Sequence, residues 1–147
     1  VKTFHDYAKI KKIKKEKIYL KSFIKSVASE FGIENFEFED EKEYIEAEPY
    51  LIRVAIQNLI RNAIEAVNGE REKVKVKLIG NRIIIEDKGE GIPEENLEKV
   101  KYPFYTTKPG GLGMGLPLTE RICELHGYKL ILKSEKGKGT EAIIELL

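Results

Sequence analysis

YLIRVAIQNLIRNAIEAV, residues 50–67, is the stretch on which the fold turns. At about 100° per residue, Leu51, Ile52, Ala55, Ile56, Leu59, Ala63 and Val67 gather on one side, and Arg53, Gln57, Arg61 and Glu65 form a stripe on the other. The pattern predicts an amphipathic helix, opened by Glu48 and Pro49 and closed by Asn68 and Gly69. Asn58 and Asn62 fall one turn apart, at the seam between the two faces. Asparagine is a poor helix former, so two stacked on a half-buried face need partners. They either hydrogen-bond a neighbouring loop or turn their amide oxygens toward a ligand or a hard cation.

Outward from this helix the pattern alternates between strand and helix. Upstream, KIYL (17–20) reads as a short strand and SFIKSVASEF (22–31) as a helix stopping at Gly32. ENFEFED and EYIEAE alternate, with Asp40 and Glu41 as a turn between them. Downstream, KVKVKLI and RIIIED flank Gly80–Asn81 as a hairpin. LPLTERICELHG (116–127) reads as a helix, with His126 set to meet its terminal carbonyls. YKLILKS and TEAIIELL then close a second hairpin around Gly137 and Gly139. The expected architecture is an α/β (α+β) two-layer sandwich, with mostly antiparallel strands and helices on one face.

Composition bounds the function. The chain has 147 residues, 41% of them apolar, which is enough for one ordinary core. With 26 basic and 25 acidic residues, its net charge of +1 creates no field that would gather nucleic acid or an anionic membrane. A single cysteine, Cys123, excludes an internal disulfide and a cysteine-built zinc site. No bilayer-spanning run and no signal peptide is seen, so a cytoplasmic setting is expected. The first 17 residues carry seven lysines, either a solvated helix end or linker or a basic arm. The chain opens with valine and is expected to be a piece of a longer protein.

Two further stretches point to a ligand. In IIIEDKGEGIPEE an apolar strand runs into Asp87, one of three aspartates in the chain. A carboxylate at a strand end can accept from an exocyclic amine such as adenine N6, or it can simply form an Asp-Gly-type turn. In FYTTKPGGLGMGLPL (104–118), four glycines occupy six consecutive positions, 110–115. Glycine permits positive φ and close approach, so successive N–H groups can cradle phosphate ahead of a helix N-terminus begun by Pro117. The spacing is neither Walker A nor a protein-kinase glycine loop.

NLIRNAIEA, EDKGEGIP, PFYTTK, GGLGMGL and GKGT follow in the order of the N, G1, F, G2 and G3 boxes of sensor histidine kinases. From Lys17 to Leu147 the chain resembles the catalytic, ATP-binding domain of that family, within the GHKL (Bergerat-fold) superfamily. Asn-Ala-Ile-Glu-Ala and Thr-Thr-Lys are similar to the nitrogen-regulation subset. The resemblance implies a mixed five-stranded sheet on about three helices with a mobile ATP lid, and makes residues 1–16 the end of a preceding dimerisation hairpin or linker.

By the same resemblance, Asn62 would ligand Mg²⁺, with Asn58 assisting nearby, and Asp87 would read adenine N6. Gly89, Gly91 and Ile92 would border the base, and Thr140 would line the adenine end. Lys108 would reach the phosphates, and Gly111, Leu112, Gly113, Met114, Gly115 and Leu116 would bind nucleotide as lid hinge and helix start. Phe104 and Tyr105 would dock on the phosphoacceptor hairpin or pin the lid to the core. The implied activity is γ-phosphoryl transfer from ATP to a histidine on that hairpin, with a response regulator as the further partner.

Two departures bear on this. Glu65 and Ala66 stand where many relatives carry lysine and tyrosine. His5 lacks the acceptor motif, so the acceptor histidine is expected on a hairpin absent from this chain. A GHKL-type ATPase or serine kinase and a degenerate docking module stay as alternatives. The first would need a glutamate base at position 58, where asparagine stands.

Overall fold

The computed structural model describes residues 13–97 and 115–147. The long helix forms as its periodicity requires, over Pro49–Ala66. It is the second of three helices among the described residues, and we call it α2. Pro49 occupies its first turn, and the Glu48 carboxylate caps it by accepting from the Leu51 N–H at 2.7 Å. It ends where Asn68 turns left-handed at φ 54°. Helix α1 spans Leu20–Ser29 and α3 spans Gly115–His126.

Seven strands occur among the described residues: β1 Glu16–Tyr19, β2 Phe36–Glu39, β3 Tyr44–Ala47, β4 Val74–Ile79, β5 Arg82–Asp87, β6 Lys129–Glu135 and β7 Gly139–Glu145. Five of them make a mixed sheet in the order β2-β4-β5-β7-β6, parallel only between β2 and β4. Its register lines up Val76, Ile85, Ala142 and Leu132 across one face. That face packs on the helices, burying Ile52, Ile56, Leu59 and Ile60 of α2, Ile24 of α1 and Ile122 of α3 in one core. Each such side chain contributes roughly 1.5–3 kcal/mol when fully withdrawn from water. The expected two-layer sandwich with a mixed, mostly antiparallel five-stranded sheet is what forms.

The segments ENFEFED and EYIEAE are strands, with Asp40 at φ 49° between them, yet they do not pair with each other. β3 pairs with β1 in a separate two-stranded ribbon, while β2 pairs with β4. Their apolar faces have different destinations. Ile45 and Ala47 are buried in the core with Ile18 of β1. Phe36 and Phe38 stack at 5.6 Å, with Lys21 and Lys25 of α1 over the Phe38 ring.

On the outer face, the Lys77 ammonium lies 2.6 Å from Glu86 and 3.6 Å from Glu141, and Arg82 bridges to Glu145 at 2.7 Å. The hydrogen bond to Glu86 pushes the Lys77 pKa up against the opposing effect of burial. Ile84 and Ile143 pair across β5 and β7 within this charged layer and are buried.

His126 ties the end of α3 to the start of α2. Its ring, 2% exposed, donates from Nδ1 to the Ile122 carbonyl at 2.7 Å, the helix-end contact expected of it. Its Nε2 accepts from the Glu48 N–H at 3.0 Å, so the ring is neutral. Burial pushes its pKa down, helped by Lys15 and opposed by the Ile122 bond and Glu48. An unfolded histidine takes up a proton near pH 6.5, while the folded one resists until lower pH. The contribution is therefore complete above pH 6.5 and is lost as pH falls from there through the folded pKa. Urea titrations between about pH 7.5 and 5.5 should show the stability advantage of wild type over His126→Gln shrinking with acidification. A pH-independent difference would remove His126 as the titrating group.

Candidate functional site

Between α2 and the β5–β7 end of the sheet lies a cleft of about 580 Å³. Its walls are largely apolar, from Leu59 and Ala63 of α2, Ile85 of β5, Leu132 of β6 and Leu116 of α3. Its polar lining comes from Asn62 and Glu65 of α2, Asp87 and Thr140 at the paired ends of β5 and β7, and Glu90 and Asn96 of the loop that follows β5. A few placed polar groups in an apolar concavity are the usual composition of a small-molecule site.

Asp87 is 6% exposed, the last residue of β5, paired with Thr140 of β7. Its Oδ1 accepts from the Gly89 N–H at 2.9 Å, and the Thr140 N–H also donates to the carboxylate. Burial pushes the Asp87 pKa above the usual carboxylate value, and these two N–H groups oppose it. The bond from Gly89 makes the Asp-Gly-type turn, and the same residue lines the cleft. A carboxylate offers about four acceptor positions, so two backbone bonds leave capacity for a donor in the cleft.

The loop after Asp87 is pinned step by step. Lys88 N–H donates to the Lys73 carbonyl at 3.1 Å, and the Glu90 carbonyl accepts from Gly137 N–H. Ile92 N–H donates to Ser134 Oγ at 2.7 Å. Gly89 is required by the protein's own backbone, because a Cβ there would collide with the Ala66 carbonyl at the end of α2. Gly139 likewise lets β7 cross the Asp87 carbonyl, where a Cβ would not fit. Gly91, Ile92 and Pro93 border the cleft.

The two seam asparagines part company. Asn62 lines the cleft. Asn58 is buried between α2 and α3, its Nδ2 3.4 Å from both the Gly115 carbonyl and Thr119 Oγ1, and its Oδ1 accepts from Arg61 at 3.3 Å. Gly115 thus serves the helix junction, and Leu116 the cleft wall. Phe104, Tyr105, Lys108, Gly111, Leu112, Gly113 and Met114, and with them the expected lid, lie outside the described residues.

Ser134 escaped the sequence reading. In YKLILKS it shares the inward parity of Leu130 and Leu132, so a polar residue in a core-facing register marked it.

A family model described as histidine kinase-, DNA gyrase B-, and HSP90-like ATPase matches residues 47–147. The chain belongs to this family. It is similar to the nucleotide-free catalytic domain of histidine kinase ThkA, with 31% identity and a TM-score of 0.72 over 91% of this chain and 95% of that one. Sporulation kinase E of Bacillus subtilis (strain 168) is 36% identical over 65% of this chain and 14% of its own length. Sensor histidine kinase ZraS of Salmonella typhimurium is 38% identical over 65% of this chain and 21% of its own. The chain therefore corresponds to a small part of these curated relatives, and it is an ATP-binding catalytic domain of histidine-kinase type. Full-length ShkA, solved with AMPPNP, shares the fold at 19% identity and a TM-score of 0.78 over 99% of this chain and 34% of that one.

Gly89→Ala should lower unfolding free energy by about 1–3 kcal/mol through the clash with Ala66. Lys88→Ala, one residue earlier and exposed, should stay within about 0.5 kcal/mol. Denaturant midpoints would check the pair, and equal midpoints would mean that the loop moves aside at no cost.

Proposed function

We propose that the chain binds Mg-ATP in this cleft and transfers the γ-phosphoryl group to a histidine on a dimerisation and phosphoacceptor hairpin. A response regulator receives the group next, in a cytoplasmic setting. The observation that carries the reading is the buried Asp87 carboxylate, held by two backbone N–H groups at an apolar cleft of nucleotide size. It is suited to the adenine amine, and the walls of Leu59, Ile85 and Leu132 suit the base.

The donor set fits Mg²⁺. Among the described residues no group of three His, Cys, Asp or Glu could hold a metal alone. Asn62 offers one carbonyl oxygen, and Mg²⁺ ordinarily takes its remaining ligands from phosphates and water. When bound, the ion neutralises phosphate charge. The protein's share of phosphoryl transfer is positioning and electrostatics. Asp87 orients the base, and the N-terminus of α3 at Gly115 presents its positive end. We assign phosphate contact to Lys108 and the nucleotide-binding glycine segment to residues 110–115. Phe104 and Tyr105 are assigned to hairpin docking and residues 1–16 to the end of that hairpin or a linker, and the box residues are similar to those of the nitrogen-regulation kinases.

Asn58 argues against an ATPase or serine kinase. An amide cannot take a proton from water or a serine hydroxyl, and this one is engaged with Gly115, Thr119 and Arg61. Histidine needs less help, since its imidazole is already a nucleophile.

Asp87→Asn should weaken ATP binding roughly ten- to a hundredfold, the worth of a charged hydrogen bond. In the same calorimetric titrations, Asn62→Ala should weaken Mg-ATP far more than metal-free ATP. Equal wild-type affinity for GTP and ATP would remove Asp87 from base recognition. Incubated with labelled ATP and a separately supplied acceptor hairpin, wild type should label the hairpin. Phe104→Ala should cut labelling sharply while ATP affinity holds; unchanged labelling would sink the docking role.

A further inference from the structure

Ser134 sits on the inner face of β6, opposite Thr140 of β7. Three groups converge on its hydroxyl. The Ile92 N–H is 2.7 Å away, Thr140 Oγ1 is 2.7 Å away, and the Gly139 carbonyl is 3.0 Å away. A serine hydroxyl has one proton to give and two lone pairs to receive with. The Ile92 N–H can only donate and the Gly139 carbonyl can only accept. If Ser134 gives its proton to Gly139, the third contact is satisfied in one way: the Thr140 hydroxyl donates to Ser134. All three bonds then form and the hydroxyl is saturated. The opposite choice, Ser134 donating to Thr140, abandons the Gly139 bond. Ser134 and Thr140 are half-buried, and of the two arrangements the one that satisfies all three contacts is favoured.

The consequence falls on Thr140, which lines the cleft beside Asp87. With its proton directed at Ser134, its oxygen faces the cleft with lone pairs only. We infer that Ser134 is a positioning residue that fixes Thr140 as an acceptor, so that Asp87 and Thr140 together form an acceptor-only edge selecting a base with an exocyclic amine over one with a carbonyl there. This rests on the ATP reading above and extends it to how the base is chosen. The same serine also anchors the Ile92 backbone, so its loss has two separable effects. Loosening Ile92 lowers affinity for every nucleotide alike. Freeing the Thr140 proton lets that hydroxyl turn and donate to a carbonyl, which changes the preference between bases.

The test compares binding of ATP and of inosine triphosphate, which carries a carbonyl where ATP carries the amine, both with Mg²⁺. Wild type should prefer ATP, and Ser134→Ala should reduce that preference roughly tenfold, the scale of one buried hydrogen bond gained or left unmade. Ser134→Thr keeps the hydroxyl and should keep the wild-type ratio. If Ser134→Ala does not fold, Ser134→Cys supplies the loss, with a weaker acceptor in nearly the same volume and a smaller fall in the ratio. Parallel loss of both affinities at an unchanged ratio in the alanine or cysteine variant would overturn the inference and leave the ATP reading standing. Collapse of the ratio in Ser134→Thr would overturn it too. Failure of wild type to bind ATP at all would overturn the reading beneath it.

Discussion

The close approach between the end of α2 and the loop after β5 sets the geometry of everything around it. Glycine at position 89 lets that loop run against the Ala66 carbonyl. The contact brings a helix carrying Asn62 within one cleft of a strand carrying Asp87. Gly139 repeats the device on the other side, letting β7 cross the Asp87 carbonyl so that Thr140 aligns with Asp87. The cleft is thus the gap left where three pieces of backbone meet, and its polar edge is built at the meeting point. Its apolar walls are simply the core of the sandwich continued to the surface, since Leu59, Ile85 and Ala142 belong to both.

Much of this was written in the periodicity. The long helix, both hairpins and α3 emerge within a few residues of their expected limits, because each combines a clear apolar repeat with explicit stop signals. Asp87 was legible from a strand running into glycines. The fate of β2 and β3 was not. Two alternating segments joined by a short turn look like a hairpin, and only tertiary packing sends Ile45 to one partner strand and Phe38 to another sheet. Helical angle alone put Asn58 and Asn62 on one seam and could not show that α3 would cover the first and leave the second facing the cleft. Ser134 was hidden because one serine in a strand is ordinary until its register is compared with its neighbours.

The charged outer layer of the sheet carries a consequence for behaviour on heating. The Lys77 and Glu86 side chains are only 19% and 23% exposed, and Glu141 stands close enough to share the lysine. At room temperature, withdrawing such charges from water offsets most of what their attraction contributes. Charged groups are hydrated at an entropic cost, so their hydration weakens as temperature rises and the penalty for withdrawing them shrinks with it. The cluster beside Ile84 and Ile143 therefore holds this face of the sheet more firmly, relative to the apolar core, in a hot solution than in a cool one.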